Sequence, residues 1–118
     1  MPKFMLLLHE TPSDFQDVTP EQMQAVIERY RTWSQGLAQA GKMAGGEKLK
    51  EEGGRHLRRS PQGSGRVEVT DGPYAEAREV MGGYFTIEAA DYDEAVEVAK
   101  GCPHMENGWI EVRQVDEI

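Results

Sequence analysis

Only two stretches of this chain read as amphipathic helices, and strand-like segments stand before, between and after them. That order limits the fold more than any single residue does. The first helix opens at Thr19, with Pro20 at the first helical position and Gln22 where a capping box needs it. Met23, Val26, Ile27, Tyr30, Trp33 and Leu37 follow at helical spacing as one apolar stripe, and Gly41 stops the helix. The second helix has Asp91 as its N-cap, with Glu94 three residues on. Tyr92, Ala95, Val96 and Ala99 form its apolar face, and it ends at Gly101.

The remaining periodicity is that of strands. Residues 3–9 hold an unbroken apolar run, which points to burial on both faces. The run is too short for a signal sequence or a membrane span, and acidic residues follow it soon after. Residues 42–49 predict a weak strand with a glycine bulge, and residues 55–60 predict another. Residues 60–65 form a Pro/Gly/Ser turn. Val67 and Val69 alternate in residues 66–70, and Phe85, Ile87 and Ala89 alternate in residues 84–89. Residues 109–115 predict the last strand, with Ile110 and Val112 on one face and Trp109, Glu111, Arg113 and Val115 on the other.

The resulting order, β-α-β-(β)-β-β-α-β, is an α+β plan: a ferredoxin-like antiparallel sheet with two helices on one face and an extra hairpin. At 118 residues the chain forms one domain, 1–118, with no room for a second core. Two helices cover one sheet face, yet the first strand is apolar on both. The uncovered face therefore needs an apolar partner, and a second copy of the chain is the simplest one. A homodimer with sheets packed face to face is the expected assembly.

Composition narrows the partners. The net charge of −8 opposes the basic grip that nucleic acid requires, and no segment suits a membrane. One basic cluster stands out: Arg55, His56, Arg58, Arg59 and Arg66. It fits an exposed strand edge blunted by charge, or a seat for an anionic ligand or acidic partner. The single cysteine, Cys102, excludes an intramolecular disulfide and fits the cytoplasm. No metal-ligand spacing and no phosphate-cradling glycine loop occurs, so neither a metal nor a cofactor is expected.

Several residues are candidates for chemistry. Asp71 stands where a strand turns at Asp71-Gly72-Pro73-Tyr74. It can act as a general base, or spend its carboxylate on its own turn. His104 follows Cys102-Pro103 after the second helix; it is a proton-transfer candidate or a solvated loop histidine. Asp71 and His104 are the catalytic candidates. Glu47 and Arg113 can supply polar ligand contacts, and Tyr74 and Trp109 can wall an aromatic pocket. Arg113 can equally pair with Asp71, Glu76 or Glu47, or bridge a dimer interface. Cys102, at the negative end of a helix, reads as a packed residue rather than a nucleophile.

The corner Val69-Thr70-Asp71-Gly72-Pro73-Tyr74-Ala75-Glu76, followed by Gly82-Gly83-Tyr84, Cys102-Pro103 and Ile110-Glu111-Val112-Arg113, resembles the DGPF proteins of the YCII-related family. The resemblance covers essentially the whole chain, with Tyr74 where the family motif has Phe. It implies a dimeric α+β barrel of small bacterial subunits and a pocket acting on a small organic molecule. Relatives are often encoded beside extracytoplasmic-function sigma factors, which implies the alternative of a non-catalytic module binding a ligand or regulatory partner. A cofactor-free oxygenase of the broader barrel type is a third implication. The His-Asp pair of the YCII branch is not carried over: this chain has Met23 and Gln24 in the histidine's region and Cys102 where the aspartate precedes a proline.

Overall fold

The apolar run near the N-terminus lies in the middle of the sheet. Strand β1 (Lys3–Glu10) pairs antiparallel on one side with β5 (Val80–Glu88) and on the other with β6 (Gly108–Gln114). β5 pairs in turn with β2 (Met43–Lys48), giving a four-stranded sheet of order β2-β5-β1-β6. The computed structural model describes residues 1–11, 17–50, 53–63, 65–71 and 79–118.

Alternation sorts β1 into two faces. Phe4, Leu6 and Leu8 are buried, and they form the core with Ile87 and Ala89 from the β5 side. Helices α1 (Pro20–Gln39) and α2 (Tyr92–Lys100) cover that face, α2 through Ala95 and Ala99, α1 through Tyr30, Trp33 and Leu37. The Trp33 ring meets the Phe85 ring edge-on, centroids 5.0 Å apart. Phe4, Leu6 and Ile87 are the largest fully buried side chains, each contributing roughly 1.5–3 kcal/mol of transfer free energy. The other face carries Met5 and Leu7 from β1, Tyr84 from β5 and Trp109, Glu111 and Arg113 from β6, and none of these is fully buried.

Both helix starts form as the sequence predicts. The Thr19 hydroxyl accepts from the Gln22 N–H at 3.1 Å, and the Gln22 side chain accepts from the Thr19 N–H at 2.9 Å. Asp91 accepts from the Glu94 N–H at 2.9 Å. Gly41, just past α1, has φ 74°, a left-handed conformation that favours glycine.

Two sequence expectations shift. β5 begins at Val80, four residues before the alternating stretch, so Gly82 and Gly83 lie inside the strand. The pairing skips Gly82: Leu8 faces Gly83 while His9 faces Met81, which makes Gly82 a bulge. Its missing Cβ leaves room for the Glu10 carboxylate, and a Cβ on Gly83 would stand 2.8 Å from the Glu47 carbonyl oxygen. The segment after α2 is also ordered: Pro103–Glu106 form one 3-10 turn rather than an irregular loop.

The extra hairpin is a separate two-stranded sheet of β3 (Arg55–Arg59) and β4 (Val67–Asp71). Its strands make their extensive contacts with each other. The radius of gyration is 16.7 Å, against about 13–14 Å for a compact domain of this length.

Candidate functional site

A cavity of about 410 Å³ opens between α1 and the β2–β5 side of the sheet. Met23, Val26, Ile27 and Tyr30 come down from α1, residues 46–48 and 82–85 form the strand wall, and Leu8, Glu10 and His104 complete it. Much of this follows from the apolar stripe of α1. Spacing of three and four residues puts Met23, Val26, Ile27 and Tyr30 on the turn nearest the strands. Close to them, β2 and β5 present glycines, and a Cβ on Gly46 would approach Phe85 Cδ1 to 2.7 Å. Small residues on the strands thus leave space that the helix stripe does not fill.

The polar end of the cavity is a chain of three groups. The Tyr30 hydroxyl lies 2.8 Å from His104 Nδ1, and His104 Nε2 lies 2.7 Å from the His9 carbonyl oxygen. A carbonyl oxygen can only accept, so Nε2 carries a proton. In the neutral ring Nδ1 is then a bare lone pair, and the Tyr30 hydroxyl donates to it. Burial pushes the Tyr30 phenol far above its usual range, and the nearby Cys102, Glu10 and Glu106 raise it further, so it remains a proton-bearing donor. His104 is 3 % exposed; it is the buried member of a hydrogen-bonded pair, not a solvated loop residue. The 3-10 turn holds it there, and the Arg29–Glu106 ion pair (2.9 Å) ties that turn to α1.

The other sequence candidates are spread over the molecule. Glu47 is on β2 at the cavity wall, opposite Tyr84 in the ladder. Asp71 ends β4 in the separate hairpin, two-thirds exposed, and pairs with Arg55 at 3.4 Å. Asp71 and His104 therefore are not brought together. Tyr74 and Glu76 lie outside the described residues, as do the Gly72 and Pro73 of the corner.

Trp109 and Arg113 sit on the open sheet face, where a second cluster forms. The Trp109 ring stacks on His9 with centroids 4.1 Å apart and planes 9° apart. Trp109 Nε1–H donates to Glu79 at 3.0 Å, and His9 Nε2 contacts Glu111 at 3.2 Å. Arg113 donates to Glu111 at 3.3 Å, so its partner is its strand neighbour rather than Asp71 or Glu47. β1 and β6 are adjacent, with His9 directly opposite Trp109. Cys102 is buried, and burial raises its thiol above the ordinary range, which keeps it a packed, unreactive group. Among the described residues no cluster of three or more His, Cys, Asp or Glu is placed to hold a metal. No helix among them is long and apolar enough to cross a membrane.

Three residues of the site escape sequence reasoning. Tyr30 fits the apolar stripe of α1, and nothing local marks its hydroxyl as the partner of a ring 74 residues away. Glu10 reads only as the start of the polar segment after the first strand. Gly108 stands just before the last predicted strand, yet a Cβ there would strike the His9 carbonyl and lie 2.5 Å from His104 Nε2. The sole signal for Gly108 is its place just before an alternating strand.

An antiparallel sheet of this order, with two crossover helices on one face, defines a ferredoxin-like α+β protein. Within that class the YCII-related domain model matches residues 2–118, and the chain belongs to the YCII-related family. No curated protein matches it at a significant level.

Proposed function

We propose that this YCII-related protein is a cytoplasmic homodimeric enzyme that moves a proton on a small organic molecule held in the cavity beneath α1. The observation that carries the reading is the Tyr30–His104–His9 carbonyl chain at the wall of an otherwise largely apolar space. A substrate proton delivered to Tyr30 Oη leaves as the Tyr30 proton passes to His104 Nδ1. The product is an imidazolium whose Nε2–H stays bonded to the His9 carbonyl. Because burial disfavours the phenolate, the two transfers occur together rather than through a Tyr30 anion. Run backwards, the same pair is a general acid. Positioned acid–base groups of this kind contribute roughly 10²- to 10⁴-fold in rate. Glu10, beside the bulge at Gly82, places a carboxylate in the same wall and selects against anionic groups there.

The dimer in this proposal forms through the open sheet face. Met5, Leu7, Met81, Tyr84 and Trp109 offer it apolar and aromatic surface, and no element among the described residues covers them fully. Light scattering should give twice the chain mass of 13.2 kDa at micromolar concentration.

Solvent-deuterium exchange into a small 1,3-diketone, which carries an acidic C–H, tests the proton relay. The wild type should accelerate exchange, and Tyr30→Phe and His104→Gln should abolish the acceleration while keeping the fold. A thermal-shift series of small phenols and diketones reports binding separately. Binding without exchange would leave the cavity as a ligand-binding module. No shift at millimolar probe in any member would remove the cavity from the function altogether.

A further inference from the structure

The β3–β4 hairpin has no counterpart in the work of the cavity, and three properties of it point the same way. It is an isolated two-stranded ribbon, and such a ribbon is at best marginally stable in water unless something covers it. Leu57, Val67 and Val69 share one face, with Leu57 directly opposite Val69, and they are 64 %, 58 % and 59 % exposed. The segment is also basic in an acidic chain. Arg55, Arg58, Arg59 and Arg66 against Glu68 and Asp71 leave residues 55–71 at +2, so the remaining residues carry −10 of the total −8.

We propose that this hairpin is an arm that lays its Leu57/Val67/Val69 face on a second copy of this chain. The inference rests on the dimer reading above and adds to it a contact that the face-to-face sheets do not supply. Charge chooses the partner: the acidic surface that attracts a basic arm is the body of the same protein. Reach allows it, because five paired residues extend about 17 Å. The chain is broad and thin, 50 × 43 × 18 Å, which fits an element that stands out from the body to meet a neighbour.

The experiment uses the full chain. Sedimentation equilibrium compares the wild type with Leu57→Asp/Val69→Asp, both changes being on exposed positions. The double variant should raise the dimer dissociation constant by roughly a hundredfold, as burying two aspartates in place of two aliphatics requires. Salt should weaken the wild-type dimer, since exposed charge attraction is screened over about 10 Å at 0.1 M ionic strength. A mixed sample of methyl-labelled and unlabelled chains should show intermolecular cross-peaks to Leu57, Val67 and Val69. A wild-type dimer with no such cross-peaks, or one that the double variant leaves equally tight, overturns the arm while the sheet-face dimer survives. A wild type that stays monomeric at 100 μM overturns both. Unchanged circular dichroism and an unreactive Cys102 in the double variant exclude a collapse of the body as the cause.

Discussion

Gly108→Ala isolates the packing behind the His104 site. Gly108 does not have a positive φ, so alanine suits its backbone and by itself would stabilise through the unfolded chain by about 0.4–1 kcal/mol. The space is the obstacle: the new methyl would strike the His9 carbonyl oxygen and come within 2.5 Å of His104 Nε2. One of these is backbone in the central strand and the other is a buried ring, so neither yields as the end of a flexible side chain would. Overpacking of this kind costs about 1–3 kcal/mol. If the ring moves, the His9 carbonyl and the Nε2–H lose each other, which costs about 1–3 kcal/mol more for buried groups. A net loss of about 2–4 kcal/mol follows, equal to a fall in Tm of roughly 10 °C for a domain of this size. Urea unfolding followed by tryptophan fluorescence measures it, with an unchanged m-value showing that the end states are the same. Gly36→Ala is the control: nothing stands within 4 Å of a Cβ there, and it lies in α1, where alanine gains about 1 kcal/mol. If Gly108→Ala is as stable as the wild type, the packing of His104 against the end of β1 is not as described, and the Tyr30–His104 geometry loses its support.

Alkaline stability should report Tyr30. The unfolded phenol releases its proton near pH 10 while the folded one holds it, so above about pH 10 the unfolded chain binds fewer protons and stability falls as pH rises. Below pH 10 both states keep that proton and Tyr30 adds no slope; Tyr30→Phe should therefore flatten the urea midpoint only between pH 10 and 11. Cys102 should react with a disulfide reagent in 8 M urea at least about a hundredfold faster than in the native state, since burial both hides the thiol and raises its pKa; equal rates would place it at the surface. Thr19→Ala should cost about 0.5–2 kcal/mol, because it removes the hydroxyl that the Gln22 N–H reaches at 3.1 Å and leaves the other half of the capping box without its reciprocal bond.

Local chemistry was legible in the sequence and tertiary chemistry was not. Thr19, Pro20 and Gln22 announce the start of α1, as Asp91 announces α2, because a cap is satisfied by residues two or three positions away. The sheet plan follows, since two helices among these strands admit few arrangements. Periodicity alone starts β5 at Tyr84, because Gly82 and Gly83 are strand breakers by propensity. In the fold they are wanted for lack of a Cβ, against Glu10 and the Glu47 carbonyl, and those neighbours lie dozens of residues away. Tyr30 shows the same limit: its spacing identifies its face and says nothing about its hydroxyl. The sequence offers His104 as a proton-transfer candidate, but its pairing with Tyr30 depends on how the 3-10 turn after α2 meets α1. Asp71 drew notice as part of the turn, and it stands on the hairpin away from the cavity.

The central place of β1 has a consequence for how the protein is made. β1 leaves the ribosome well before either of its partners: Leu6 pairs with Phe85 and Val112. At 5–20 residues per second, roughly 5–20 s pass before β6 exists to close the sheet. Until β5 emerges the Leu6-Leu7-Leu8 run has unpaired backbone on both edges, and until β6 emerges on one, with apolar side chains on both faces, the condition that invites strand-to-strand association. The high sequence separation of these pairings also slows the folding that ends the exposure. Loss of β6 would turn the central strand into a permanent edge, so a chain cut before Gly108 should aggregate during synthesis rather than accumulate as a folded, inactive protein.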